Sequence, residues 1–209
     1  MKKETTTRDR ILEAALNVFS MKGYLGATTR EIAGEAGVAE VTLFRLFASK
    51  ERLFEEVVNR YSFLPALKGL LPGLKDRPYR DALSVIAHRF LAIMNERRHL
   101  VRIVQGDIHQ SEKLRDIFYL FTDEMFGTLA SYFRQMQKQG VLRSFDAQAA
   151  ARAFFGMFFS YFYREACIAK KKMKKAGLDK VVEEYVDIFV RGTLSETGRL
   201  RPGSTGRAS

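Results

Sequence analysis

The stretch from Thr28 to Lys50, TTREIAGEAGVAEVTLFRLFASK, limits what this chain can fold into more than any other. It reads as a short helix, a glycine turn, a second short helix and the cap of a third, which is how a helix-turn-helix is written in sequence. Thr28 stands three residues before Glu31, a capping box in which hydroxyl and carboxylate satisfy each other's neighbouring amides, so a helix should begin at Thr29. Ile32, Ala33 and Ala36 recur at helical spacing, and Gly37 can take the positive φ of a sharp turn. Beyond the turn, Val38, Leu43 and Phe47 can point into a small core, which leaves Ala39, Glu40, Val41, Thr42, Phe44, Arg45 and Leu46 for the outer face and flanks. So short a helix buries little area. Entry into the DNA major groove gives it a use, because the N-terminal residues of a recognition helix touch base edges there. Ser49 caps the next helix, and Lys50 lies in its first turn beside amides that can bind a phosphate.

These residues resemble the TetR-like transcriptional regulators. The run GVAEVTLFRLFASKERLF is similar to that family's Gly-Val, Thr-Leu-aromatic, Phe and Ser-Lys-Glu pattern, and TTREIAGEAG resembles its first helix-turn-helix helix. The likeness covers about the first sixty residues. It implies a homodimer with an all-α chain: an N-terminal three-helix DNA-binding head, and a larger helical body that binds a ligand and dimerises. Carried onto this chain, it makes Thr28, Thr29, Arg30, Ala39, Glu40, Val41, Thr42, Phe44, Arg45 and Lys50 the candidate DNA contacts. Three positions depart from the pattern. Ala39 replaces a frequent cap, Glu40 and Val41 stand where variable base-reading residues sit, and Phe44 lacks the usual phenol, whose hydroxyl could bond a phosphate. The competing reading is a surface that merely surrounds a small helical core; cap, turn, inward residues and Lys50 together favour DNA.

A chain of 209 residues is too long for a helix-turn-helix alone, and 46% hydrophobic with 28% charged residues describes an ordinary globular protein. The net charge of +11 favours a polyanionic partner. Its distribution weakens the easy inference: through Ser62 there are ten Lys and Arg against nine Asp and Glu, a net of +1, leaving +10 for the rest. DNA contact must therefore rest on a few placed residues. The single Cys167 excludes an intramolecular disulfide framework, and a reducing cytoplasm fits. The apolar-rich stretch near Ala153 to Tyr163 is too short to span a bilayer, and MKKETTTRDR is no signal core, so neither membrane nor secretion is expected.

In chain order, Thr6 or Thr7 can cap a first helix, with Ile11, Leu12, Ala15, Leu16, Val18 and Phe19 inward, until Gly23 stops it. Arg8 and Arg10 at its start could reach phosphates or simply be solvated. A helix from Glu51 to Tyr61 leads to FLPALKGLLPGLKDRP, loop or broken-helix chemistry, which places the boundary near Ser62: residues 1–62 as head, 63–196 as body and 197–209 as a disordered tail. Body helices are expected over Tyr79–Arg97, His99–Gln105, Ser111–Gln139, Ala147–Lys172 and Leu178–Leu194. The fourth is apolar around most of its circumference, so it should be covered by its own body and by a second subunit, the last helix joining it in a four-helix interface.

Phe90, Met94, Phe118, Phe121, Met125 and Tyr132 could line a cavity for a small apolar effector, which could also carry an acidic group such as a carboxylate paired with Arg89 or Arg102. Taken singly, such residues are more often plain core. His88, His99 and His109 form no metal-binding pair, and no cofactor is implied. The KKKMKK run from Lys170 to Lys175 could bind DNA, but as a soluble helix end it needs no such role. Two functions remain: a ligand-responsive regulator, in its commonest form a repressor released from a palindromic operator, and an enzyme whose helical body is targeted by a DNA-binding head. No catalytic constellation can be assembled for the second.

Overall fold

A computed structural model describes residues 6–171 and 173–196, apart from the side chain of Ile103. The tail, 197–209, lies outside the described residues. The fold is all-α: α1 (Thr7–Gly26), α2 (Thr29–Glu35), α3 (Glu40–Phe47), α4 (Lys50–Tyr61), α5 (Leu64–Leu70) with a tighter turn at Leu71–Leu74, α6 (Tyr79–Glu96), α7 (Arg98–Asp107), α8 (Glu112–Lys138), α9 (Ala147–Phe162), widening into a π-helical segment Tyr163–Ile168, and α10 (Lys175–Thr193). Two compact units divide the described residues. One takes those up to Ser62 together with Arg97–Phe121; the other takes Phe63–Glu96 and those from Thr122 on.

In the first unit, Thr6 closes a capping box with Asp9 and so starts α1, whose buried stripe includes Ile11, Leu12, Ala15, Leu16, Val18 and Phe19. Gly23 leaves helical geometry (φ 77°, ψ 175°), yet one more turn follows to Gly26, so the expected stop is a kink. Immediately after the kink Tyr24 turns inward, its ring 5.1 Å from that of Phe54 and 5.9 Å from that of Phe19. The same core takes in Val104 of α7 and Leu114 of α8, with Ile117, Phe118 and Phe121 packed against it. α1 and the three short helices after it expose a large fraction of their surface, and α7 with the start of α8 adds apolar cover.

The second unit is a Phe-rich bundle in which α6 packs on α9 and α10. Phe63 meets Phe90 and Phe155 edge-on, Phe155 meets Phe154, and Phe154 meets Phe158 and Phe189, all with ring centroids 5.1–5.7 Å apart. Inside it the Tyr79 and Thr193 hydroxyls lie 3.2 Å apart, and Arg80 donates to Asp187 at 2.8 Å.

Several helix limits differ from the sequence reading. The Pro- and Gly-rich linker forms α5 and its turn, since Pro65 at the start of α5 has no amide to waste. α7 runs through Gly106 to Asp107. The helix expected to reach Lys172 has left α geometry by Tyr163 and ends at Ile168, so the lysine run does not sit on its last turn. α10 begins at Lys175, three residues early. Its inward stripe is Val182, Val186, Phe189, Val190 and Thr193, while Ile188 is 61% exposed; this helix is apolar on two sides, and periodicity cannot say which faces inward.

Candidate nucleic-acid interface

The geometry of α2 and α3 begins with the capping box: Thr28 Oγ1 accepts from the Glu31 amide at 3.2 Å, and Glu31 accepts from the Thr28 amide at 3.1 Å. Lys22 donates to the same carboxylate at 2.6 Å, tying α2 to α1. α2 ends at Ala36 and Gly37 (φ 65°), with Val38 N–H donating to the Ala33 carbonyl at 3.0 Å. α3 starts after an extended Ala39 that offers no side-chain cap, so its first amides keep their capacity to donate to an anion.

Only one face of α3 is buried. Leu43 and Phe47 are within 2% of complete burial, whereas Val41 is 74% and Phe44 43% exposed, with Ala39 and Arg45 beside them in solvent and Thr42 half-buried. Val41 and Phe44 are the large apolar side chains that α3 leaves in water. Ala48 closes α3 with φ 58° and ψ −42°, and Ser49 N–H donates to the Phe47 carbonyl at 2.6 Å across it. This three-residue turn is a strained conformation for alanine, and it lets α4 start at once. Ser49 caps α4 by accepting from the Arg52 amide at 3.2 Å.

The predicted contacts fall into three groups. Thr29 donates to Glu40 at 2.6 Å, and Arg30 lies 3.9 Å from the same carboxylate, so these three form one cluster across α2 and α3. Ala39, Val41, Thr42, Phe44 and Arg45 share α3 and its start, with Thr28 committed to its cap. Lys50 stands apart: its Nζ is 4.4 Å from the centre of the Tyr24 ring, and burial pushes its pKa down, against the carboxylates of Glu51, Asp107 and Glu31.

Sequence reasoning missed what fixes this surface. Arg8, read as a phosphate contact or a solvated end, donates to both oxygens of Glu56 at 2.5 Å and to the Leu46 carbonyl at 3.2 Å, 4.6 Å from the Phe47 ring centre. It clamps the end of α3 to α1 and α4. Asp107 accepts from the amides of Tyr24 and Leu25 at 2.7 and 3.2 Å. Both links join residues far apart in the chain, and no local spacing announces them. Arg10 borders an open depression with Glu13, Asn17 and Glu35, mixed in charge.

The six candidate effector contacts are divided between the units. Phe118 and Phe121 meet each other edge-on against the first unit's core. Phe90, Met94, Met125 and Tyr132 belong to the second, where Phe90 packs on Phe63 and Phe155, and the buried Tyr132 hydroxyl has no hydrogen-bond partner among the described residues. His88 bonds the Ser84 carbonyl at 2.8 Å and Asp179 at 3.0 Å. No cluster of His, Cys, Asp and Glu able to hold a metal occurs among the described residues, and none of their helices is long and apolar enough to cross a membrane.

Residues 11–57 match the tetR family of bacterial regulatory proteins, and residues 81–192 match the C-terminal domain of AefR-like transcriptional repressors. Over 198 residues the chain is 28% identical to an uncharacterized HTH-type transcriptional regulator, YvkB of Bacillus subtilis, covering 91% of this chain and 98% of that one. The nucleoid occlusion factor SlmA of Vibrio campbellii is 28% identical over 146 residues, 68% of this chain and 71% of its own. A solved TetR-family transcriptional regulator from Mesorhizobium loti shares the fold with a TM-score of 0.78 and 26% identity, over 90% of this chain and 97% of that one.

Proposed function

This chain belongs to the TetR family of DNA-binding transcriptional regulators, and from that premise we propose that it is a homodimeric, cytoplasmic repressor that a small apolar effector releases from a palindromic operator. The observation that carries the DNA part is the exposed face of α3, with Val41 and Phe44 in solvent over a fully buried Leu43 and Phe47. In this reading Thr42, Arg45 and the apolar pair meet base edges or thymine methyls. Arg30 and Lys50 take phosphates. Glu40 accepts from a cytosine amine after exchanging its bonds with Thr29 and Arg30, or keeps them and only shapes the surface.

Repression is supported by the match of the body to AefR-like repressors. Dimerisation is supported by the outer faces of α9 and α10. Ala149, Ala153, Gly156 and Ser160 form an exposed stripe of small residues at helical spacing on α9, and on α10 Ile188 stands exposed with Val181 half-buried on the same face. Small residues on one helix and apolar ones on the next suit close packing across a two-fold axis. A two-fold dimer in turn demands a palindromic site. Release by an effector requires that it bind better to a conformation that binds DNA worse; the coupling is reciprocal, so DNA weakens effector binding by the same factor.

The test is selection of bound genomic fragments by the purified protein, followed by titration of the winning duplex with fatty acids, aromatic acids, neutral hydrophobes and lipophilic cations. Enrichment of an inverted repeat, and its release by an apolar compound that also raises the melting temperature, is the expected result. Failure to enrich any sequence sinks the DNA reading; enrichment without release by any compound removes the effector.

A further inference from the structure

We infer that Asp107 is a positioning residue for DNA binding: from the last turn of α7 it fixes the kink of α1, and through Tyr24 it holds Lys50 where a phosphate can be met. This rests on the reading of Lys50 as a phosphate contact.

The chain of contacts begins at Gly23. Its φ of 77° and ψ of 175° break the helical run, so the amides that follow behave like those at the start of a new helix, which need an acceptor from outside. Here the acceptor comes from 83 residues away: Asp107 Oδ2 takes the Tyr24 amide at 2.7 Å and the Leu25 amide at 3.2 Å. A carboxylate receiving two backbone N–H groups at a helix start is the arrangement of a cap, supplied from a different helix. The clamp sets the direction in which Tyr24 leaves the backbone.

Tyr24 is 6% exposed and packed on Phe19 and Phe54, so its ring has one position. Lys50 sits 4.4 Å from the centre of that ring. A lysine side chain loses rotamer freedom when it fixes a partner; the ring takes up part of that ordering before DNA arrives. Asp107 also bears on Lys50 by charge, as do Glu51 and Glu31, and these oppose the effect of burial on the ammonium. Loss of Asp107 frees two amides, lets the last turn of α1 swing, and leaves Lys50 a mobile surface cation.

The test measures affinity against salt concentration for the duplex that the wild-type protein selects, using the full-length protein and the variants Lys50→Ala, Asp107→Ala, Asp107→Asn and the double variant Lys50→Ala/Asp107→Ala. Lys50→Ala is expected to weaken binding about fivefold to tenfold and to lower the slope of log affinity against log salt by about one. Asp107→Ala should reproduce most of both changes and add nothing on the Lys50→Ala background, while Asp107→Asn, which keeps an acceptor oxygen, should stay within about twofold of wild type and retain the slope. If Asp107→Ala folds poorly, Asp107→Ser takes its place in the cycle. Losses that add in the double variant, or a weaker Asp107→Ala with an unchanged slope, would mark a merely structural role and overturn the inference while leaving Lys50 on the phosphate. A Lys50→Ala protein that binds like wild type would overturn both.

Discussion

The first compact unit is tied together at its helix ends by charge, and the second is packed ring against ring. Arg8 with Glu56, Arg60 with Asp9, Lys22 with Glu31 and Lys113 with Glu51 span different helices of the first unit, beside the capping boxes at Thr6 and Thr28. In the second, the rings of Phe63, Phe90, Phe154, Phe155, Phe158 and Phe189 form one connected group. Exposed ion pairs are worth roughly 0–1 kcal/mol each, so the first unit still owes its stability to Phe19, Tyr24, Phe54 and their neighbours. What the pairs contribute is direction. A surface that must match a duplex needs its helices held at set angles, and bonds at helix ends do that without enlarging the core. The second unit has cross-helix bonds as well, Arg80 with Asp187 and His88 with Asp179, but most of what it buries is aromatic.

The largest effect should come from charging the aromatic group. Phe158 is fully buried between Phe154 and Tyr185, and Phe158→Glu should cost about 3–5 kcal/mol, seen as a lower urea midpoint. A loss under 1 kcal/mol would mean that the packing there is loose. Acid should act on the other unit. Asp9 is held down at about 2 from an ordinary 3.8, by hydrogen bonds from Thr6 and then Arg60. Glu51 is also held at about 2, from 4.5, by its own backbone amide and then by Ser49 and Lys113. Because both folded values lie below the unfolded ones, their stabilisation is complete above about pH 4.5 and is lost as pH falls towards about 2. Hydrogen exchange should therefore show protection in α1 and α4 falling through that window faster than in α9 and α10. Equal loss in all four helices would erase the contrast.

Smaller effects sharpen it. Thr28→Ala removes a cap whose hydroxyl takes the Glu31 amide, and should cost about 1 kcal/mol. Ala48→Gly should do the reverse and stabilise by roughly 0.5–1 kcal/mol, since glycine meets no Cβ clash at a φ of 58°. A destabilised glycine variant in thermal melts would show that the turn is not strained.

The parts legible in the sequence were those written locally. Caps at Thr28 and Ser49, the turn at Gly37 and the inward Leu43 and Phe47 all depend on neighbours within four residues. The recruitment of α7 and the start of α8 to the first unit was not legible, because the apolar stripe of Val104 or Leu114 says that a face is buried and not against what. The same limit applied to α10, and to Arg8, whose partner Glu56 lies 48 residues away. For the effector residues the difficulty is composition: in a body this rich in Phe, periodicity marks every inward ring alike.

The central claim, that the outer face of α3 reads DNA, is tested most directly by Arg45→Ala measured twice. Arg45 is exposed on that face, so its loss should leave the unfolding free energy from urea titration within about 0.5 kcal/mol of wild type. Affinity for the selected duplex should nevertheless fall about tenfold, with the salt slope reduced by about one. Unchanged affinity and slope in an equally stable Arg45→Ala protein would contradict the account.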